Sequence, residues 1–207
     1  MSAKVIKHPL AIGLVGGIAS GKSQVARYLA TKGAAIIDAD KLGHQVLEKP
    51  LVIRSLTNRF GPEITSLSGA IDRDKLGALV FGEGENARRN LEFLEQTVHP
   101  MIHAEAVRKL QEYRKSKQPP PAVVLDAPLL IEAGWNSMCN HILFVDTLVD
   151  TRKQRALARG WNEEQFEQRE AAQLSVEEKK QYASHVVSGE DNAAMQDQID
   201  AFWEDVT

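Results

Sequence analysis

Gly16-Gly17-Ile18-Ala19-Ser20-Gly21-Lys22-Ser23 fits the pattern G-x-x-x-x-G-K-[ST], and its flanks decide how it reads. The apolar run Leu10 to Val15 leads into it, and the stretch Ser23 to Thr31 that follows has helical character. An anion needs convergent donors. Glycines at Gly16, Gly17 and Gly21 let the backbone wrap closely enough to aim several N–H groups at a triphosphate. The positive end of the following helix adds to the field there. Gly17, Ile18, Ala19, Ser20, Gly21, Lys22, Ser23 and Gln24 are therefore candidate nucleotide contacts. Lys22 reaches for the β- and γ-phosphates as a mobile point charge, and the Ser23 hydroxyl suits a Mg²⁺ that bridges them. The plainer alternative is a glycine-rich turn between a strand and a helix.

The composition suits an enzyme of small anions. At 207 residues with 43% apolar side chains, the chain has the material for one domain with lobes. A net charge of −3 gives no general attraction to nucleic acid, so any basic patch is local to a site. Cys139 is the single cysteine, which excludes an internal disulfide and a multi-thiolate metal centre and reads as a small core or surface residue of a cytoplasmic protein. Met1 to Pro9 reads as a lead into the first strand rather than a signal peptide. No stretch approaches the roughly 20 apolar residues that span a bilayer. The expected state is a monomer or weak homo-oligomer, without nucleic-acid or membrane partners.

Short apolar runs alternate with amphipathic stretches, the pattern of an α/β fold with a buried parallel sheet and crossover helices. Strands are expected at Leu10 to Val15, Ala35 to Asp38, Ala122 to Asp126 and His141 to Val145, with a shorter fifth at Ser184 to Val187. Between the second and third lies Lys41 to Gln118, with helical patterns at Leu42 to Leu47, Pro50 to Phe60, Arg73 to Val80 and Ala87 to Arg114. A crossover needs only about a dozen residues, so a segment this long reads as an inserted helical lobe that carries a substrate. Pro119-Pro120-Pro121 ends it as a stiff connector. The whole reads as one domain: a core of residues 1–40, 119–150 and 183–207, a lobe near 41–118 and a lid near 151–182.

In an open parallel sheet the carboxyl ends of the strands line the ligand crevice. Ile37-Asp38-Ala39-Asp40 ends the second strand, and transfer to an alcohol needs a carboxylate that orients the hydroxyl and accepts its proton. Asp40 is the candidate base; either aspartate could instead cap the helix that follows. Asp126 closes the third strand and is a candidate Mg²⁺ ligand through water, or a turn-forming residue before Pro128. Leu129 reads as core or pocket wall. Glu132 reads either as a cap of the next helix or as a substrate contact. Arg152, Arg155 and Arg159 recur at spacings of three and four, on one face of a helix. Like charges so placed repel unless an anion neutralises them, and a lid over a triphosphate would supply one. The alternative is a solvated face balanced by Asp150, Glu163, Glu164 and Glu167. His99, His103 and Glu105 make no convincing zinc set, and Trp135, Trp161 and Trp203 read as packing residues.

Together these motifs resemble the dephospho-coenzyme A kinases along nearly the whole chain. The resemblance rests on the loop Ile12 to Ser23, on Ile37-Asp38-Ala39-Asp40, on Arg73 through Phe81 with His99-Pro100-Met101-Ile102, and on Asp126-Ala127-Pro128-Leu129-Leu130-Ile131-Glu132. It implies a three-layer P-loop NTPase fold that moves the γ-phosphate of ATP, with Mg²⁺, to the ribose 3′-hydroxyl of dephospho-coenzyme A. By the same resemblance Lys22, Asp40, Arg155 and Arg159 are catalytic, and Asp38, Arg73, His99, Leu129 and Glu132 are substrate contacts. Departures are Gln24 for the usual Thr, His44 for an arginine, Arg152 for glutamine, and Ser184 and Gly189 near the C-terminus; Gln173 matches the pattern. The alternatives are a nucleoside monophosphate or sugar kinase of the same fold, or a nucleotide-binding protein without catalysis. A switch GTPase is disfavoured, since no N-K-x-D occurs and Asp126-Ala127-Pro128-Leu129 stands where D-x-x-G would.

Overall fold

The structure is a computed structural model that describes residues 8–82 and 84–207. The lead-in residues 1–7 lie outside the described residues. The rest forms two compact units, one made of the described residues up to Asp38 with Lys109–Thr207, the other of Ala39–Arg108.

The first unit holds a five-stranded sheet: β1 (Leu10–Val15), β2 (Ala35–Asp38), β3 (Ala122–Asp126), β4 (His141–Asp146) and β5 (His185–Ser188). The order is β2-β3-β1-β4-β5 and every pairing is parallel. The central strands are near-continuous apolar runs because both faces are covered. On the faces lie α1 (Lys22–Thr31) and α9 (Asn192–Val206). Val25, Ala26 and Leu29 of α1 and Met195, Ile199 and Phe202 of α9 recur at helical spacing and join Ile12, Leu14, Val124, Leu143 and Val145 in one core. Each large aliphatic or aromatic side chain buried there contributes about 1.5–3 kcal/mol.

Register gathers the chemistry at one end. Asp38 pairs with Asp126, Asp126 with Leu14, and Asp146 with Ser188, so the strand ends and the loop after β1 meet along one edge. After β4 the chain enters α6 (Val149–Leu157), α7 (Glu163–Ala171) and α8 (Val176–Gln181). Asn162 and Ser175 start the last two with capping boxes.

The second unit contains α2 (Ala39–Leu47), α3 (Pro50–Phe60), α4 (Arg73–Val80) and the part of α5 (Glu85–Lys115) up to Arg108. Its core is Val46, Val52, Leu56, Ile64, Leu76, Val80 and Val98, with Phe60 edge-on to Phe93 at 5.8 Å. Asp72 caps α4 by accepting from the Asp74 and Lys75 amides. Glu105 is engaged by Lys49 and Arg108.

Most boundaries fall within one residue of the sequence reading, with α1 starting at Lys22, β4 ending at Asp146 and β5 running His185–Ser188; α2 and α5 differ by more. α2 begins at Ala39, directly after β2, rather than at Leu42. The apolar period reports large buried side chains, and the first turn offers that face only the small Ala39, a weak start to the period that Leu42 and Val46 continue. Asp40 thus lies inside the first turn, where an acid complements the helix dipole, and not before the helix. α5 also runs two residues earlier and one later than expected, and passes through Pro100 without ending.

Gly13 marks the tightest point in the central strand. A Cβ there would approach the Cys139 Sγ to 2.8 Å and Leu130 Cδ1 to 3.0 Å. Burial pushes the Cys139 thiol up to about 12, so the sulfur acts as an inert packing atom. Gly13→Ala is expected to destabilise by about 1–3 kcal/mol through overpacking. Adding Cys139→Ala should recover part of the loss, which thermal melts of the four proteins in the cycle would measure.

Candidate active site

A loop that turns its amides inward must turn its carbonyls outward, and buried carbonyls need donors. From Gly16 to Ser20 each one has a side-chain donor. The Lys22 Nζ donates to Gly16 O at 3.0 Å and Gly17 O at 3.1 Å. Arg152 Nη1 lies 3.5 Å from Ile18 O, and Arg155 Nη1 3.5 Å from Ala19 O and 3.1 Å from Ser20 O. The buried Thr147 hydroxyl adds a 2.7 Å bond to Ser20 O. Among the described residues the amides of Ile18, Ala19 and Gly21 meet no protein acceptor. Ala19 is held at φ 59°, the left-handed region that costs a side-chain-bearing residue, and Gly21 at 107°. The Ser20 hydroxyl is buried without a partner.

In front of this loop opens a cavity of about 430 Å³, lined by residues 19–24 with Arg27, Arg155 and Arg159. Among the described residues its lining carries four cations and no carboxylate. Such a lining attracts a polyanion and nothing of the opposite sign. Arg155 is fixed, its Nη2 also donating to Gly189 O at 2.6 Å. Arg27 and Arg159 are exposed, and among the described residues neither guanidinium has a hydrogen bond or ion pair.

The sequence profile of the family described as "Dephospho-CoA kinase" matches residues 10–195. A dephospho-CoA kinase of Geobacter metallireducens is 40% identical over 199 residues, covering 95% of this chain and 96% of its own. One from Symbiobacterium thermophilum is also 40% identical, over 198 residues, covering 93% of this chain and 79% of its own. The crystal structure of TT1252 from Thermus thermophilus superposes with a TM-score of 0.78 at 32% identity, over 97% of this chain and 99% of that one. The chain belongs to the dephospho-CoA kinase family. Its activity is ATP-dependent phosphorylation of dephospho-coenzyme A in coenzyme A synthesis.

In this dephospho-CoA kinase the three arginines do not share one task, as their common spacing suggested. Arg152 is 4% exposed and turned inward. Its Nη1 meets both Glu170 oxygens at 2.7 and 2.5 Å, its Nε lies 3.3 Å from Thr147 O, and its guanidinium sits over the Phe166 ring at 5.7 Å. The anion that neutralises it is Glu170. Its Cζ would lie 2.7 Å from a Cβ on Gly17, so this glycine is the floor on which the guanidinium rests. Arg159 falls two residues beyond the end of α6, which frees it to reach the cavity.

Glu132 neither caps a helix nor stands free. Its Oε1 accepts from the Leu174 amide at 2.9 Å and meets the Lys179 ammonium at 3.2 Å; Lys179 is 1% exposed and also donates to Gln173 at 2.6 Å. Gln24 bonds Asn192 through its side chain. Asp38 and Asp126 are half-buried register partners on neighbouring strands. In the other unit Asp40 is the second residue of α2, His99 is exposed on α5, and Arg73 opens α4 with its Nη1 2.8 Å from His44 Nε2. A guanidinium only donates, so the histidine nitrogen is the acceptor in this pair. This pair lines a cavity of about 350 Å³ with Leu47, Glu48, Ala70 and Ile71. Leu129 is half-buried beside the fully buried Leu130.

The sequence reading did not single out Arg27, Thr147, Glu170 or Lys179. Arg27 was legible as the residue one turn after Ser23 on α1. Lys179 was not: within Glu177-Glu178-Lys179-Lys180 it reads as a solvated face.

Burial pushes the Lys22 ammonium down to about 8; Asp126 opposes this, and Lys179 and Arg152 add to it. Between about 8 and the ordinary value of 10.5 the unfolded chain binds the extra proton, so this group's contribution to stability rises with pH over that window. Nucleotide binding has the opposite dependence, because phosphate favours the charged form. ADP affinity should fall as pH rises through about 8, with proton uptake on binding above it, as calorimetry in buffers of different ionisation enthalpy would record.

Proposed function

We propose that the cationic cavity holds the triphosphate of ATP, with the loop amides and Lys22 on the phosphates and Arg155 and Arg159 offsetting charge on the transferring group. The observation that carries this is a lining of four cations without a carboxylate, beside amides that have no protein acceptor. On arrival of phosphate, Lys22 exchanges the Gly16 and Gly17 carbonyls for γ-phosphate oxygens.

Asp40 orients the ribose 3′-hydroxyl and accepts its proton as that oxygen bonds to the γ-phosphorus and ADP leaves. Asp38 supports the acceptor beside it. The oxygen donors fit a hard cation: the Ser23 hydroxyl faces the cavity, exposed and without an internal hydrogen bond, and the Asp126 carboxylate lies close enough to Lys22 to perturb it. Ser23 and Asp126 would hold Mg²⁺, which supplies charge neutralisation on the phosphates when bound. Arg73, bonded to His44, presents its positive charge to an anionic group of the acceptor, with His99 a further contact and Leu129 a pocket wall. Glu132, whose Oε1 also meets the buried Lys179, is a further acceptor contact. α6 to α8 serve as the lid and the helical unit as the acceptor lobe. We further infer a cytoplasmic protein that works as a monomer or weak homo-oligomer.

The test is Mg²⁺-dependent ADP release from ATP, with and without dephospho-coenzyme A, with adenosine monophosphate and gluconate as control acceptors. Stimulation by dephospho-coenzyme A alone is expected; preference for a control acceptor would overturn the assignment of the lobe. Asp40→Asn should retain ATP binding and lose about 10²–10⁴ in turnover. Full activity in that variant would remove Asp40 from the mechanism.

A further inference from the structure

We propose that Arg27 is a nucleotide-binding residue that contacts the α-phosphate of the bound nucleotide, a role that rests on the cavity's being the ATP site. Three observations lead there. Arg27 lines the cavity together with Ser23 and Gln24. It lies four residues after Ser23, on the same face of α1 and one helical turn, about 5.4 Å, further along the axis. Its guanidinium is exposed and among the described residues has no hydrogen bond or ion pair.

The loop geometry assigns the other cations elsewhere. Lys22 works at the β- and γ-phosphates, and Ser23 at the metal between them. Arg155 is held by Ala19, Ser20 and Gly189 carbonyls, so it is fixed over the loop. A cation one turn along α1 from Ser23 serves the part of the triphosphate that these groups leave, its α-phosphate end. Among the described residues Arg159, which comes from the segment after α6, is the only other guanidinium on the lining without a hydrogen bond or ion pair. Arg27 differs from it in one respect: it belongs to a helix packed in the sheet core through Val25, Ala26 and Leu29, so it needs no movement of the lid to be in place. It binds ADP and ATP alike, and it acts before any closure.

The experiment is calorimetric binding of ATP, ADP and adenosine to the full-length enzyme and to Arg27→Gln, at low and at raised salt. Lys117→Gln, which removes an exposed cation away from the cavity, controls for net charge. Arg27→Gln should weaken ATP and ADP by roughly tenfold each at low salt, the size of one charge-assisted contact to phosphate. Its salt dependence should be shallower than that of the wild type, and adenosine binding should not change. Arg27→Lys should restore part of the loss. Unchanged ADP affinity in Arg27→Gln, or an equal loss for adenosine, would overturn the proposal. So would an equal loss in Lys117→Gln. If wild-type enzyme binds ADP but fails to phosphorylate dephospho-coenzyme A, the acceptor assignment falls and the Arg27 comparison still reads out.

Discussion

The constraint on which this structure depends is the satisfaction of five consecutive outward-facing carbonyls. A phosphate-binding loop must present its amides to a ligand, and the backbone geometry that does so strips the carbonyls of their usual partners. Here Lys22, Arg152, Arg155 and Thr147 supply the donors from Gly16 to Ser20. Three of the four come from the segment that follows β4, so the strand order that sets β4 beside β1 is also what braces the loop. The loop is therefore shaped before a ligand arrives. Less ordering is left to offset on binding, and that favours affinity.

The same requirement sorts the arginines of α6 and its continuation. Arg152, closest to β4, is drawn under the loop and must find an anion inside the protein, since an unpaired buried cation is costly. Glu170 on α7 provides it, and thereby ties α7 to the loop's floor. Arg155 spans both tasks, bonding carbonyls while facing the cavity. Arg159, past the helix end, is free of both. Gly189 completes the arrangement: a Cβ there would come within 2.5 Å of Ser20 O, so the turn after β5 packs directly on the loop and lends its own carbonyl to Arg155. Gly189, one of the departures from the family's pattern, thus belongs to a local packing solution.

The sheet was legible in the sequence because its buried strands are unbroken apolar runs bounded by glycine, proline and aspartate, and the strand ends fell within a residue of their places. The loop was legible from its pattern and flanks together. Polar architecture was less so. Spacing placed Arg152, Arg155 and Arg159 on one helix but could not show that the helix ends at Leu157 or that a glutamate eighteen residues on would take the first of them inside. Lys179 lies in a charged run whose neighbours face water, and only the fold reveals that it points to Glu132 and Gln173. The boundary of α2 escaped for a different reason: its buried face opens on Ala39, whose methyl group marks the period far more weakly than Leu42 and Val46 after it. Pairings distant in sequence leave no periodic trace, and these are the contacts that set the electrostatics of the site.

The inert sulfur behind Gly13 has a practical side. With its thiol pushed up to about 12, Cys139 supplies almost no thiolate at neutral pH, and thiolate is the species that electrophiles capture. Its reaction with maleimides at neutral pH is therefore expected to be slow. A single thiol introduced on the exposed face of α5, or in the loop at Lys117, would take a fluorophore or spin label at one address, with no need first to remove the natural residue and reopen the packing around β1.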